Sequence, residues 1–387
     1  MPPEPASAPP FPIAPRLVRE HVRRATLALG DAGADGLLIF RGTNILAFTG
    51  VPLEPSDRLV CALLNRDGRL AFVVPAFEAD IVRGLPAGSV IVSWHEDEDP
   101  YAAAAEAARA LGLAGGRILL DGRTWIDAHM RLSQALAGTT LSADTGVIDA
   151  VRTCKSAGEI AAIRAACRDT GRIYPAMSDL LKPGVSELEA LATAQRHLRS
   201  IGISPWGDLI QGGPNAAIPH QRTGRRRFQP GDAVIVDFVA QREGYLGDMT
   251  RTFALGRVSD EVRHAYHVVR DAQRAAIEAI QPGVPCEAVD AAARAVIDAA
   301  GLGDFFTHRT GHGIGLDVHE PPFIVRGNAA KLAPGMVFTI EPGVYVPGRF
   351  GIRIEDVVAV TESGHEILSD DTPTDVSPEF TREVLAA

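Results

Sequence analysis

Three carboxylates in the C-terminal half of this chain stand at the ends of apolar runs, where an acidic side chain is hard to accommodate, and a fourth lies between the first two of them. Asp237 ends the apolar run of "AVIVDF" (233–238), and Asp248 lies in "GYLGDMTRTF" (244–253). Glu341 follows "MVFTI" and precedes Pro-Gly, and Glu355 follows "IRI". Taken singly, such residues are turn caps or solvated strand ends. Asp237, however, terminates a run that reads as a buried strand, and a buried carboxylate without a partner is expensive. His312, between glycines in "HRTGHGIGLDVHEPP" (308–322), completes the set. Four carboxylates and one imidazole carry a charge of about −4 when ionised, which two divalent cations neutralise. A fold for this chain must therefore bring five groups spread from position 237 to 355 to one point.

At 387 residues the chain has room for two or three domains, and its 46% hydrophobic and 22% charged content is that of a globular protein with real cores. The formal net charge of −10 lacks the basic footprint of a nucleic-acid or membrane-surface binder. Cys61, Cys154, Cys167 and Cys286 are scattered without CxxC spacing and read as free thiols of a reducing compartment. The start, "MPPEPASAPPFPIAP", has no basic head followed by an apolar segment, so residues 1–14 are expected to be a flexible Pro/Ala-rich tail, not a secretory signal. No apolar stretch reaches membrane-spanning length. A cytoplasmic location is the expectation.

Hydrophobic patterning predicts a small α/β domain over 15–148. It has an amphipathic helix at 15–33 and strands at 36–40, 59–64, 70–75, 89–94 and 117–122, with helices at 101–113 and near 125–137. A second, α+β domain over 149–387 is predicted to hold the whole acidic set. It opens on one long helix with Ser156 as N-cap and Glu159 three residues on. Helices follow at 186–200, 259–280 and 285–301, with mostly antiparallel strands at 208–212, 233–240, 248–256 and through 308–360. A turn containing Gly244 and Gly247 is expected between Asp237 and Asp248. Two stretches of helix closing on Pro-Gly-Val, about a hundred residues apart, suggest an internal duplication.

Three further histidines are His220 in "NAAIPHQR", and His308 and His319 in the same Gly-rich string as His312. With these motifs the C-terminal domain resembles the pita-bread metallopeptidases (methionine aminopeptidase, aminopeptidase P and prolidase), which share an Asp, Asp, His, Glu, Glu ligand pattern. The resemblance implies that Asp237 binds one metal, that His312 and Glu341 bind the other, and that Asp248 and Glu355 bridge them. It implies two divalent ions. An oxygen-rich set with one imidazole suits Mn²⁺, with Co²⁺ or Zn²⁺ as alternatives. It also implies hydrolysis by a hydroxide shared between the ions, with Glu341 passing a proton to the leaving nitrogen. His220, His308 and His319 match substrate-orienting positions, and Tyr345 and Arg353 match positions that hold a ligand carboxylate in place.

The extra domain in front resembles that of creatinase, aminopeptidase P and prolidase, and "RGTNILAFTG" (41–50) carries that likeness. Phe48 in this string is expected to be a core aromatic or to face a neighbouring subunit. The resemblance implies a homodimer acting on Xaa-Pro dipeptides or short peptides. Chain length favours a dipeptidase (prolidase) over an aminopeptidase P, with a small-molecule hydrolase or lyase on the same scaffold as a further alternative. A dipeptidase needs a cation for the substrate's terminal carboxylate. Arg326 in "PPFIVRGN" is the expected one, because Phe323 fills the nearer position; Arg222 and Arg225 to Arg227 form a basic cluster that could substitute.

Overall fold

The computed structural model describes residues 13–381 apart from 41, 54–55, 83–84 and 86–87, so most of the tail expected over 1–14 lies outside the described residues. The chain divides into two compact units, Met1–Arg152 and Thr153–Ala387.

The first unit is built on six strands: β1 (Gly36–Phe40), β2 (Cys61–Asn65), β3 (Leu70–Pro75), β4 (Val90–Trp94), β5 (Arg117–Leu120) and β6 (Thr140–Ala143). They form one sheet in the order β4-β3-β2-β1-β5-β6, with the β1–β2 and β2–β3 pairs antiparallel and the rest parallel. β1, β2 and β3 are buried along their whole length, which is why they read as unbroken apolar runs. The edge strand β6, "TLSA", has no such signature and is half exposed. Thr43–Thr49 is a short helix, and Phe48 is fully buried in it, edge-on to His21.

In the second unit, Ser156 and Glu159 form a reciprocal capping box at the helix Ala157–Gly171. The single long helix expected here is two: Tyr174–Leu180 follows as a separate element with Pro175 in its first turn. Proline has no N–H for an interior helical bond, but it fits a helix start. After the helix Glu187–Ser200, β7 (Pro205–Gly212), β8 (Ala233–Arg242) and β9 (Tyr245–Ala254) make an antiparallel sheet. After the helices Asp260–Glu278 and Cys286–Ala299 come β10 (Gly311–Gly313), β11 (Glu320–Ile324), β12 (Val337–Ile340), β13 (Gly343–Val346), β14 (Phe350–Arg353), β15 (Asp356–Val360) and β16 (His365–Ile367). The order β11-β10-β12-β15-β16 forms a second antiparallel sheet, and β13–β14 is a separate hairpin. Buried faces of the last two helices pack with Phe338, Ile340, Ile352 and Val358 in one core.

The suggested duplication is visible in the backbone. Gly184 N–H donates to Phe228 O, Glu187 N–H to Arg226 O and Leu188 N–H to Gly224 O. In the second half Gly283 donates to Leu332 O, Cys286 to Ala330 O and Glu287 to Asn328 O, the same pattern with every donor 99 and every acceptor 104 residues further on. Each half thus folds as helix, Pro-Gly-Val turn, helix and antiparallel strands.

The β8–β9 turn is tighter than expected. Arg242 pairs with Tyr245, and Glu243 (φ 49°) and Gly244 (φ 81°) alone make the corner, a two-residue turn of the primed type. Gly247 therefore lies in β9. The helix Ala157–Gly171 presses on it: a Cβ there would come within 2.7 Å of Cys167 Cα, and Thr170 Oγ1 donates to Gly247 O at 2.8 Å. The φ of Gly247 is ordinary, so the demand is steric only. Gly247→Ala should destabilise the fold by about 1–3 kcal/mol through overpacking; a chemical-denaturation midpoint equal to that of the parent would refute the close approach.

Candidate metal centre

The β8–β9 register sets Asp237 opposite Thr250 and Val239 opposite Asp248. Side chains alternate along a strand, so Asp237, Asp248 and Thr250 share one face. Glu355, between β14 and β15, joins them by backbone: its N–H donates to Thr250 O at 3.1 Å, and Thr250 Oγ1 donates to Glu355 Oε2 at 2.7 Å. From the other side comes β10, the three residues around His312. A Cβ at Gly311 or Gly313 would collide with Thr339 O or Pro321 O, so glycines on both sides let this strand squeeze between β11 and β12. Glu341 directly follows β12, with its N–H on Thr310 O at 2.8 Å.

All five groups line one cavity of about 330 Å³. Asp248, His312 and Glu355 present ligand atoms within 4.8 Å of one another. Asp248 Oδ1 and Glu355 Oε1 are buried and find no hydrogen-bond partner. Burial, then the charges of Asp237 and Glu341, push the Asp248 carboxyl well above the usual range; burial, then Asp248 and Glu341, do the same to Glu355. Burial opposes ionisation of Glu341 too, yet the hydrogen bond and charge of His312, with His308 and Arg353 behind them, hold it at about 2.

His312 Nε2 lies 3.2 Å from Glu341 Oε1, while Nδ1 faces Gly313 O at 3.2 Å. A carbonyl only accepts, so Nδ1 carries a hydrogen and Nε2 is the ring nitrogen aimed at the carboxylate. A proton or a cation must stand between them. The donor set therefore fits a divalent metal: hard oxygens, one imidazole and two orphaned carboxylate oxygens around one space.

Arg353 braces this cluster from behind. Its guanidinium donates to Asp237 Oδ2 at 2.6 Å, to Tyr345 Oη at 2.9 Å and to Thr250 Oγ1 at 3.2 Å. Tyr345 Oη in turn lies 2.8 Å from His308 Nε2, and His308 Nδ1 lies 2.7 Å from Arg309 O. Since Nδ1 donates to that carbonyl, neutral His308 accepts from Tyr345, and the chain Arg353–Tyr345–His308 has a fixed direction. Burial lowers the His308 pKa.

His220 and His319 also line the cavity, both on its exposed side. The His319 ring stands perpendicular to His312 at 4.2 Å, and burial, followed by His312 and Arg309, pushes it down to about 4. Arg326, the arginine expected for the substrate carboxylate, is exposed in the turn after β11 and lines a different hollow, with Glu287, Asp290 and Arg294. Phe323 still pairs with His312 in register, but Asn328 Nδ2 donates to Phe323 O at 2.6 Å and curls the chain away. Arg222 and Arg225 are exposed, Arg226 is paired with Asp232 at 2.6 Å, and Arg227 donates to Gly184 O. Two residues that sequence reasoning passed over are part of the site. Thr250 could have been found from its place two residues beyond Asp248 on the same strand face. Arg309 lines the cavity, and its only sequence signal is its position between His308 and His312.

The raised carboxyls of Asp248 and Glu355 bind protons more tightly in the folded than in the unfolded chain. In metal-free protein their stabilising contribution is complete below about pH 4, the unfolded carboxylate range, and drains away as pH rises through their folded values. Chelator-treated protein should therefore lose thermal stability from pH 5 upward, Glu355→Gln should blunt that loss, and added Mn²⁺ should abolish it. A pH-independent melting temperature without metal would show that the carboxylates are not in conflict.

Residues 161–362 match the metallopeptidase family M24, and residues 22–154 match the creatinase/prolidase N-terminal domain. A probable dipeptidase PepE of Mycobacterium tuberculosis is 39% identical over 347 residues, spanning 88% of this chain and 91% of the relative. The crystal structure of dipeptidase PepE from Mycobacterium ulcerans superposes with a TM-score of 0.85 at 35% identity, covering 93% of this chain and 97% of that one. A prolidase from Thermococcus sibiricus gives 0.86 at 32% identity, covering 93% and 98%. The chain belongs to metallopeptidase family M24, as a hydrolase with a creatinase/prolidase-type domain ahead of its pita-bread catalytic domain.

Proposed function

We propose that this metallopeptidase hydrolyses Xaa-Pro bonds in dipeptides, with two divalent ions held by Asp237, Asp248, His312, Glu341 and Glu355. The observation that carries the reading is the buried cluster of Asp248, His312 and Glu355 within 4.8 Å, with two carboxylate oxygens left unsatisfied by protein. Asp237 and Glu341 flank it in the same cavity. A pair of such cations supplies Lewis acidity toward a peptide carbonyl and activates water at neutral pH. Mn²⁺ is the assignment from ligand hardness, ahead of Co²⁺ and Zn²⁺.

The chain's own residues supply the rest. An Xaa-Pro amide has no N–H to grip, and its nitrogen must be protonated to leave. In this reading Glu341 takes the proton of the attacking water and returns it to that nitrogen. His319, with its pKa pushed down to about 4, is neutral at pH 7 and serves as a hydrogen-bond donor to the substrate carbonyl. His220 faces the same space, and His308 is held in one tautomer by Tyr345. A cavity of about 330 Å³ is at the small end for ligand sites, which suits a dipeptide. The dipeptidase and prolidase names of the relatives support the same substrate class. A cytoplasmic homodimer belongs to this reading; the four cysteines, all free, agree with a reducing compartment. No helix among the described residues is long and apolar enough to cross a membrane.

With added Mn²⁺ the protein should cleave Ala-Pro faster than Ala-Pro-Ala and lose activity to a chelator. The reverse preference would identify an Xaa-Pro aminopeptidase, and inertness toward both would reject a proline peptidase. Glu341→Gln and His319→Ala should each lower kcat by about 10²- to 10⁴-fold, the usual weight of a general acid–base or carbonyl-polarising group. Wild-type turnover in either variant would remove that residue from the mechanism.

A further inference from the structure

The cavity contains two arginines in opposite conditions. Arg353 is spent: its donors go to Asp237, Tyr345 and Thr250. Arg309 is not. Its guanidinium carbon lies 4.7 Å from the centre of the Phe323 ring, and it forms no ion pair or side-chain hydrogen bond among the described residues. Stacking engages the face of a guanidinium and leaves its N–H edge free. Nearby cations elsewhere in the unit are paired, Lys155 with Glu320 at 2.8 Å and Arg294 with Asp290 at 2.7 Å.

The backbone around Arg309 is fixed while its donors stay open. Arg309 O accepts from His308 Nδ1. Thr310 N–H donates to Ile324 O at 3.0 Å, and Thr310 Oγ1 donates to Asp290 Oδ1 at 2.7 Å. Arg294 donates to His308 O at 2.6 Å. A half-buried, desolvated guanidinium on a rigid base beside a cavity, with a planar fork of unused donors, is a receptor for a carboxylate. Burial lowers its pKa and the nearby Glu341 raises it, with no carboxylate in direct contact.

We infer that Arg309 binds the C-terminal carboxylate of the substrate. This rests on the dipeptidase reading above, because in a dipeptide the residue leaving with the nitrogen carries that carboxylate. Arg309 and Phe323 sit on neighbouring segments: Phe323 pairs with His312, and Thr310 bonds to Ile324. An arginine at 323 would therefore reach the same space from the facing strand.

The test compares Ala-Pro with Ala-Pro amide, each with Mn²⁺, in wild type, Arg309→Ala, Arg309→Lys, Arg326→Ala and the double variant Arg309→Ala/Phe323→Arg. Affinity is read as KM, or as an inhibition constant where the amide is not cleaved. Arg309→Ala should raise KM for Ala-Pro by about 10- to 100-fold, as loss of a charge-assisted bidentate contact does, and change the amide by less than about threefold. Arg309→Lys should fall between, and the double variant should regain most of the loss. Equal effects on acid and amide would reduce Arg309 to a packing residue and overturn the inference, as would an unmoved KM or a selective effect of Arg326→Ala. Wild type inert toward Ala-Pro would fell the dipeptidase reading and this one together; active wild type with an indifferent Arg309→Ala would fell this one alone.

Discussion

Asp248 and Glu355 are buried in one cluster, each with a carboxylate oxygen that finds no protein donor, and much of the C-terminal unit exists to keep them there. The brace is a second buried arginine. Arg251 donates to Thr250 O at 3.0 Å, Glu355 O at 2.6 Å, Asp356 Oδ1 at 2.7 Å and Thr372 O at 2.9 Å. Gln273 donates to the other Asp356 oxygen at 2.6 Å. Such a buried ion pair adds little net stability, because desolvation offsets attraction. What it supplies is position: the junction of β9 with the segment carrying Glu355 has no freedom to relieve the repulsion by moving apart.

The substrate side of the cavity is fixed by a different and repeated device. On the helix that follows each Pro-Gly-Val turn, a buried acid reaches out to the segment that carries the site histidines. Glu187 accepts from Gly212 N–H at 2.9 Å, Asn215 Nδ2 at 3.1 Å and Gly224 N–H at 2.9 Å, bracketing the turn with His220. Asp290 accepts from Thr310 Oγ1 and from Arg294, whose guanidinium also holds Phe306 O and His308 O. Irregular backbone can be as exact as a strand when its own N–H and C=O groups are paired in this way.

These arrangements differ in how far they could be read from sequence. Asp237, Glu341 and Glu355 stood out because each ends a hydrophobic run, a local signal, whereas Asp248 and His312 stood out only by the company of those three and of a Gly- and His-rich string. The strands β1 to β3 were legible as apolar runs, and Ser156 with Glu159 as a capping box. Pro175 marks the break between the first two helices of the second unit, but the helical pattern continues on both sides and masks it. The place of Arg326 outside the metal-site cavity has no local signal, because a side chain's direction after a strand depends on a turn, here set by Asn328 bonding Phe323 O. Arg309 was invisible for a related reason: only the register of β10 with β11 brings it over Phe323.

The acidic cluster draws Asp237 and Asp248 from the first repeat and His312, Glu341 and Glu355 from the second. More than a hundred residues separate the β8–β9 hairpin from Glu355. A nascent chain leaving the ribosome can close that hairpin at once, since its two-residue corner is local, but has no cage to offer until the second repeat has emerged and docked. Metal capture by such a protein is therefore a late event of biogenesis, delayed until the whole catalytic unit has been synthesised, and the early hairpin must tolerate its paired aspartates unaided.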